Sequence, residues 1–392
     1  MTGASEAHAP GAPAPAGAIP LAVPNVSTAE RDAVLAAIDS GFVSSVGPQV
    51  AEFEREFASL VGSRHAVATA SGTAALHVAM RLAGVGPGDE VFVSDFTFIG
   101  SSNPVAYQGA DVVLVDSDPT SWTMDPDLLE AELARRAASG ERQPKAIELV
   151  HILGQPADGH RVAQLAEQYG VTLIEDSAES LGAGWIDAEG GFTHTGTIGT
   201  IGAFSFNGNK IVTAGGGGML VTDDDDLAAR ARHLTTQAKV PDVGYLHDEV
   251  GYNYRLTNLS AAFGLAQLRR LPEFVSAKVR IAQRYDEAFA DLPLTLPPRV
   301  AGTVSTFWLY SVLLADEKQR DRTADHLASL GIGARAVWRP LHLQPPLREA
   351  KRLGGQVSED LFRRGLSLPC STNLTDADQD RVIDAVRSAL SS

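Results

Sequence analysis

One cysteine in 392 residues, Cys370, leaves no internal disulfide and no thiolate cluster for a metal, as is usual in a reducing compartment. No metal site is expected, and the expected location is cytoplasmic. Long hydrophobic runs are missing too: no apolar stretch approaches the roughly 20 residues that a membrane-spanning helix requires. Nor is there a polybasic block of the kind that binds an anionic membrane surface. Positive charge is in deficit, with 32 Lys and Arg against 48 Asp and Glu, for a net charge of −16. A nucleic-acid partner is therefore not expected, because that binding depends on neutralising phosphates. A small anionic ligand is still compatible, since it needs only local donors such as helix N-termini. Residues 1–19, rich in Ala, Pro and Gly, lack the basic start and apolar run of a signal peptide and read as a disordered tail.

Apolar residues are plentiful, at 44% of the chain, enough for a large core and about two domains. From about residue 65 to 235, compact β-rich runs (EVFVSDF, DVVLVDSD, AIELVHIL, VTLIEDS) alternate with helical segments such as TAALHVAMRLAG, DLLEAELARRAAS and RVAQLAEQYG. The runs are nearly all apolar and close in acidic or small polar residues, as parallel strands buried on both faces do. This is the α/β pattern of a mixed, mostly parallel sheet flanked by helices. A helix pair follows, then the punctuation LPLTLPPRV, the strand-like TFWLYSVLL and a terminal helix opening at TDADQD. The expected division is a large domain over residues 20–274 and a smaller α+β domain over 275–392.

Three segments could hold chemistry. In ATASGTAALHVAM a strand-like run meets Ser71, Gly72 and Thr73 at a helix start, which offers amides and short hydroxyls to a phosphate but also describes a capped core helix. In VTLIEDSAES a strand delivers Glu175 and Asp176 at its C-terminal end, where open α/β sheets bind ligands. An acid there can pair with a protonated pyridine nitrogen, although acids also end strands simply because water reaches them. In TIGTIGAFSFNGNKIVTAGGGGMLVTD, two β-like runs flank Lys210, and an apolar surrounding favours the neutral amine that a Schiff base needs. Gly215 to Gly218 lack dinucleotide-loop spacing and read as a close-packed turn. The order of cradle, acid and lysine within one α/β unit is more informative than any one of the three.

The chain resembles the DegT-type (DegT/StrS) sugar aminotransferases, members of the aspartate-aminotransferase-like fold of pyridoxal-phosphate enzymes. The segments that carry the resemblance are SGTAALHVAM, GDEVFVSDFTFIGSSNPV, LIEDSAESLGA, FSFNGNK, GGGGMLVT, GYNYRLTNLSAAFGLAQL and RPLHLQPP. The resemblance implies fold type I, with pyridoxal 5′-phosphate joined to Lys210 and its ring nitrogen held by Asp176. It further implies that Gly72, Thr73 and Ser205 hold the phosphate, that Asn207 belongs to the cofactor shell, and that Phe98 stacks on the cofactor ring. Glu179 would lie near the phenolic oxygen. Asn253 would reach the phosphate in the neighbouring subunit of a homodimer, and Arg339 and His342 would lie near a sugar. The implied reaction moves an amino group, with glutamate as donor, onto a nucleotide-linked keto-sugar, a UDP-linked 4-keto-6-deoxyhexose above all. A 3-keto sugar or a cyclitol ketone is the alternative acceptor, and a non-catalytic cofactor-binding regulator the alternative of a different class.

Overall fold

The computed structural model describes residues 17–241 and 243–391. Eight strands form the main sheet, in the order His65–Thr69, Gly218–Thr222, Ile201–Ser205, Thr172–Asp176, Ala146–Val150, Glu90–Ser94, Asp111–Val115 and Lys351–Leu353. All run parallel except Gly218–Thr222, which is antiparallel to both of its neighbours. The four β-rich runs recognised in the sequence are four consecutive strands of this order. Their apolar character follows from burial on both faces, with every residue of Ala146–Val150 buried.

The connecting helices start and stop on local signals. Ser71 caps Gly72–Leu82 by accepting from the Ala74 amide at 3.0 Å. Asp125 caps Pro126–Ser139 and Asp158 caps Gly159–Tyr169, and both helices end on a left-handed glycine, Gly140 and Gly170. On the face of the sheet opposite helix Gly72–Leu82, Phe53 and Phe57 of helix Pro48–Val61 interlock with Phe204 and Phe206 at centroid distances of 4.9 to 5.5 Å. Those aromatics fix the backbone on either side of Ser205.

A second sheet carries the smaller α+β unit, with Gly365–Leu368 pairing antiparallel with both Tyr310–Leu313 and Arg335–Ala336. Helices Glu317–Ser329 and Asp376–Ser391 pack together beside it. The chain crosses between the two units more than once. The division expected at 274/275 falls inside one continuous helix, Leu271–Phe289, and Lys351–Leu353 returns from the C-terminal part to the edge of the main sheet. The expected tail also needs correction at its end, since Ile19 is buried and its backbone bonds to Gly331 and Gly333 at 2.9 and 2.7 Å. Residues 1–16 of that tail lie outside the described residues.

Candidate active site

At the C-terminal ends of the parallel strands lies a cavity of about 400 Å³, lined among others by Gly72, Thr73, Phe98, Asp176, Glu179, Ser205, Asn207 and Lys210. These residues come from four segments spread over 139 positions of sequence (72 to 210, counted inclusively). The parallel topology gathers them at one edge.

At one end is the start of helix Gly72–Leu82. The side chain of Ser71 takes the Ala74 amide, and the first-turn amides of Gly72 and Thr73, which have no partner among the described residues, can serve an anion with the helix dipole behind them. Two glycines are dictated by close approach. A Cβ on Gly72 would stand 2.7 Å from Ser205 Cβ, and one on Gly218 would stand 2.4 Å from the Ser71 carbonyl oxygen. The close-packed turn expected over Gly215–Gly218 holds for its second half only: Gly217 packs on Leu256 and Gly218 on this cradle, whereas a Cβ on Gly215 or Gly216 would meet nothing within 4 Å. Ser205 and Asn207 add polar side chains, so the donor set suits a phosphate.

In the middle, Asp176 is 4% exposed, accepting from the Ala178 amide at 3.0 Å and from the Ser101 hydroxyl at 2.8 Å. Thr97 in turn contacts Ser101 at 2.8 Å. Burial raises the pKa of Asp176 above the usual carboxylate range, opposed by those two bonds and by the charge of Lys210. A buried carboxyl whose charge is only partly compensated suits a cationic partner such as a protonated ring nitrogen. Glu175, the neighbouring acid, points to the opposite face. There burial pushes its pKa up, but His151 at 3.0 Å and the amides of Gly199 and Gly196 outweigh this and hold it below the ordinary value.

Glu148 lies two residues before the cavity-lining Val150 and therefore on the same face of its strand. Neither of its carboxyl oxygens has a partner among the described residues. Burial, then the nearby charge of Asp176, push its pKa well above 4.5. A carboxyl with a raised folded-state pKa stabilises the fold fully only below the unfolded value, and that contribution is lost as pH rises through the folded pKa. Glu148→Leu should therefore raise thermal stability by about 1–3 kcal/mol near neutral pH, with a smaller gain at pH 4.5. Unfolding curves at both pH values check this; a destabilised variant at neutral pH would contradict it.

Lys210 follows a turn in which its own amide donates to the Asn207 carbonyl at 3.0 Å. Its Nζ lies 3.5 Å from Glu179 Oε1 and 4.0 Å from the centroid of the Trp308 ring. Its surroundings thus differ from the apolar setting inferred from the flanking sequence, since both contacts attract a cation. Trp308 also fixes the loop, because its indole N–H donates to the Asn209 carbonyl at 2.7 Å. Glu179 is buried and accepts from the Leu153 amide at 2.8 Å. Its pKa is raised by burial, against the charge of Lys210. Phe98, more than half exposed, forms one wall with Trp338 at 5.4 Å.

Three residues anticipated from the sequence do not line this cavity. Asn253 is exposed on a loop, bridged to Thr236. Arg339 lies over Phe362 instead, at 5.5 Å. His342 is buried, with Nδ1 2.6 Å from Asp95 and Nε2 3.0 Å from Glu359. Hydrogen bonding to Asp95 raises its pKa, so it ties the end of strand Glu90–Ser94 to the C-terminal part and does not contact a ligand in this cavity. The WRPLHLQPP segment does reach the site, through Trp338, with Arg335 just before it. Ser101, Trp308, Trp338 and Arg335 are the functional candidates that sequence reasoning passed over. An indole or a serine carries no signal of its position until the fold is known.

A sequence model of the DegT/DnrJ/EryC1/StrS aminotransferase family matches residues 24–387. This chain belongs to that family. The aminotransferase is 41% identical to the GDP-perosamine synthase of Caulobacter vibrioides over 376 residues, covering 95% of this chain and 98% of that one. It is likewise 41% identical over 371 residues to EpsN of Bacillus subtilis, named for pyridoxal-phosphate-dependent aminotransfer, covering 93% and 94%. Among solved structures it resembles a DegT DnrJ EryC1 StrS aminotransferase of Brucella abortus, with a TM-score of 0.86, 35% identity and coverage of 93% and 96%. The chain is a pyridoxal-phosphate-dependent sugar aminotransferase with the fold expected of one, which sets aside the non-catalytic regulator. No described helix is long and apolar enough to cross a membrane.

Proposed function

We propose that this aminotransferase moves an amino group from glutamate to a nucleotide-linked 4-keto-6-deoxyhexose, with Lys210 as the proton carrier and point of cofactor attachment. The observation that carries the reading is the meeting of Lys210, Asp176 and Glu179 with a phosphate cradle in one cavity. When bound, pyridoxal phosphate supplies an aldehyde that takes up the amino group and a ring that spreads the electron pair left by a departing proton. The protein's part is positional and electrostatic. Gly72, Thr73, Ser205 and Asn207 would hold the phosphate, Asp176 would keep a proton on the ring nitrogen, and Phe98 would cover the ring. Glu179 holds the Lys210 amine, which takes a proton from the donor carbon and returns it on the far side of the transfer.

The nucleotide link is supported by the relative named GDP-perosamine synthase, whose product is a nucleotide-bound amino-sugar by name. A homodimer with shared sites is supported by Asn253, which lies outside its own cavity on a loop with exposed apolar residues. Tyr245 there is 93% exposed, and Phe42, Val43 and Val46 lie uncovered on a second loop, which is bonded to Asn258. An active monomer in light scattering would contradict that assembly. The cytoplasm, where nucleotide-linked sugars are made, is the location that fits.

A substrate panel tests the reaction. The amino-loaded form, prepared with glutamate, should be discharged by GDP- or UDP-linked 4-keto-6-deoxyhexoses, with the visible spectrum reporting the change. Discharge by only 3-keto sugars or cyclitol ketones would refute the choice of acceptor.

A further inference from the structure

We propose that Arg335 determines specificity by binding the diphosphate of the acceptor, one sugar ring away from the reacting carbon; this rests on the nucleotide-linked reading above. Arg335 lines the cavity from the short strand Arg335–Ala336, whose backbone is fixed by pairing with Gly365–Leu368. Its guanidinium stands 5.4 Å from the centroid of the Trp338 ring, and among the described residues it has no carboxylate or hydrogen-bond partner. The other charged groups of the cavity are engaged: Lys210 with Glu179, and Asp176 with Ser101 and Ala178. Arg335 is thus the cavity's unspent cation. In a chain with a net charge of −16, a local cation of this kind favours a ligand that brings two phosphates.

Position separates the possible anions. Lys210 lies 4.0 Å from the centroid of Trp308, Trp308 stacks on Trp338 at 6.3 Å and 17°, and Arg335 lies at Trp338. The contacts thus run in series from the reacting amine to Trp308, to Trp338 and to the guanidinium, and no described contact joins Lys210 to Arg335 directly. The α-carboxylate of an amino donor is one bond from the carbon that Lys210 must reach, so it belongs beside Lys210. A diphosphate attached across a hexose ring belongs farther out, where Arg335 is. The cofactor phosphate is served by the Gly72–Thr73 amides, on a different element. A planar guanidinium held near an indole is suited to paired phosphate oxygens, which it can bind by two parallel hydrogen bonds.

The test compares wild-type holoenzyme with Arg335→Gln and Arg335→Lys in both half-reactions. With the GDP- or UDP-linked 4-keto-6-deoxyhexose that wild type uses, Arg335→Gln should raise KM roughly 10- to 100-fold with kcat little changed. Arg335→Lys should recover part of the loss, because it keeps the charge without the fork. Amino loading from glutamate, followed by the visible spectrum, should change less than about twofold, since glutamate carries no phosphate and the cofactor phosphate is held elsewhere. GDP or UDP alone, titrated into the holoenzyme by calorimetry, should bind more weakly to Arg335→Gln. An unchanged acceptor KM overturns the proposal by itself, and so does a loss confined to glutamate loading. A wild-type enzyme that aminates only ketones without a diphosphate overturns the acceptor reading, and this proposal falls with it.

Discussion

Lys210→Ala should lower amino transfer on the order of 10⁴-fold, the upper range for removing a positioned proton-transfer group, with loss of the cofactor's visible absorption band. Lys210 contacts Glu179 and Trp308 through its side chain, and neither depends on it for its place. Glu179 is also fixed by the Leu153 amide, and Trp308 by Asn209. The variant should therefore fold, with an unaltered circular dichroism spectrum. Glu179 would lose the cation that opposes its burial and would hold its proton more tightly. Free amines of suitable size should restore part of the activity, because what is missing is a base in the cavity and not its shape. A variant retaining a tenth of wild-type turnover would remove Lys210 from the reaction.

Asp176→Asn should reduce turnover by roughly 10²–10³-fold, from the 3–5 kcal/mol typical of breaking a buried charge pair. The same substitution should leave the cofactor-free protein at least as stable as wild type. Burial raises the pKa of Asp176, so its ionised form is a cost to the empty fold, and that cost grows as pH rises above 3.8. Asparagine keeps the acceptor for the Ala178 amide and turns an NH2 toward Ser101, whose hydroxyl oxygen can accept instead of donate, while the charge is removed. Rates and melting temperatures measured on the same preparations separate the two effects. An active Asn variant, or one that is strongly destabilised without cofactor, would show that the carboxylate serves the fold and not the ring nitrogen.

Much of this site is legible in the sequence because it depends on local signals. Strand Thr172–Asp176 is an apolar run that must end near solvent or ligand, and Asp176 is where it ends. Ser71 and Gly72 mark a helix start in one dimension as clearly as in three. Lys210 is recognisable from its place between two β-like runs and from the order of segments, although its surroundings are not: the carboxylate and indole beside it come from residues 179 and 308. Strand Lys351–Leu353 has three residues and no apolar alternation, so only its pairing with Asp111–Val115 identifies it as part of the main sheet. The WRPLHLQPP segment shows the limit most clearly. The right segment reaches the cavity, but which side chains face inward is set by packing: His342 is taken by Asp95 and Glu359, Arg339 by Phe362, and Trp338 is left at the site with Arg335. Glu148 was hidden for the opposite reason, since an acid inside an apolar run gives no hint of whether a partner awaits it.

The chain has six lysines, and one of the other five, Lys278, is buried, donating to the Trp308 carbonyl at 2.7 Å. Borohydride reduction of the holoenzyme, followed by proteolysis and mass spectrometry, fixes the cofactor to whichever lysine holds it. The mass of the reduced cofactor should appear on the peptide containing Lys210 and on no other. The same mass on Lys278, or on no lysine, would contradict the assignment from which every role given to Asp176, Glu179 and the phosphate cradle follows.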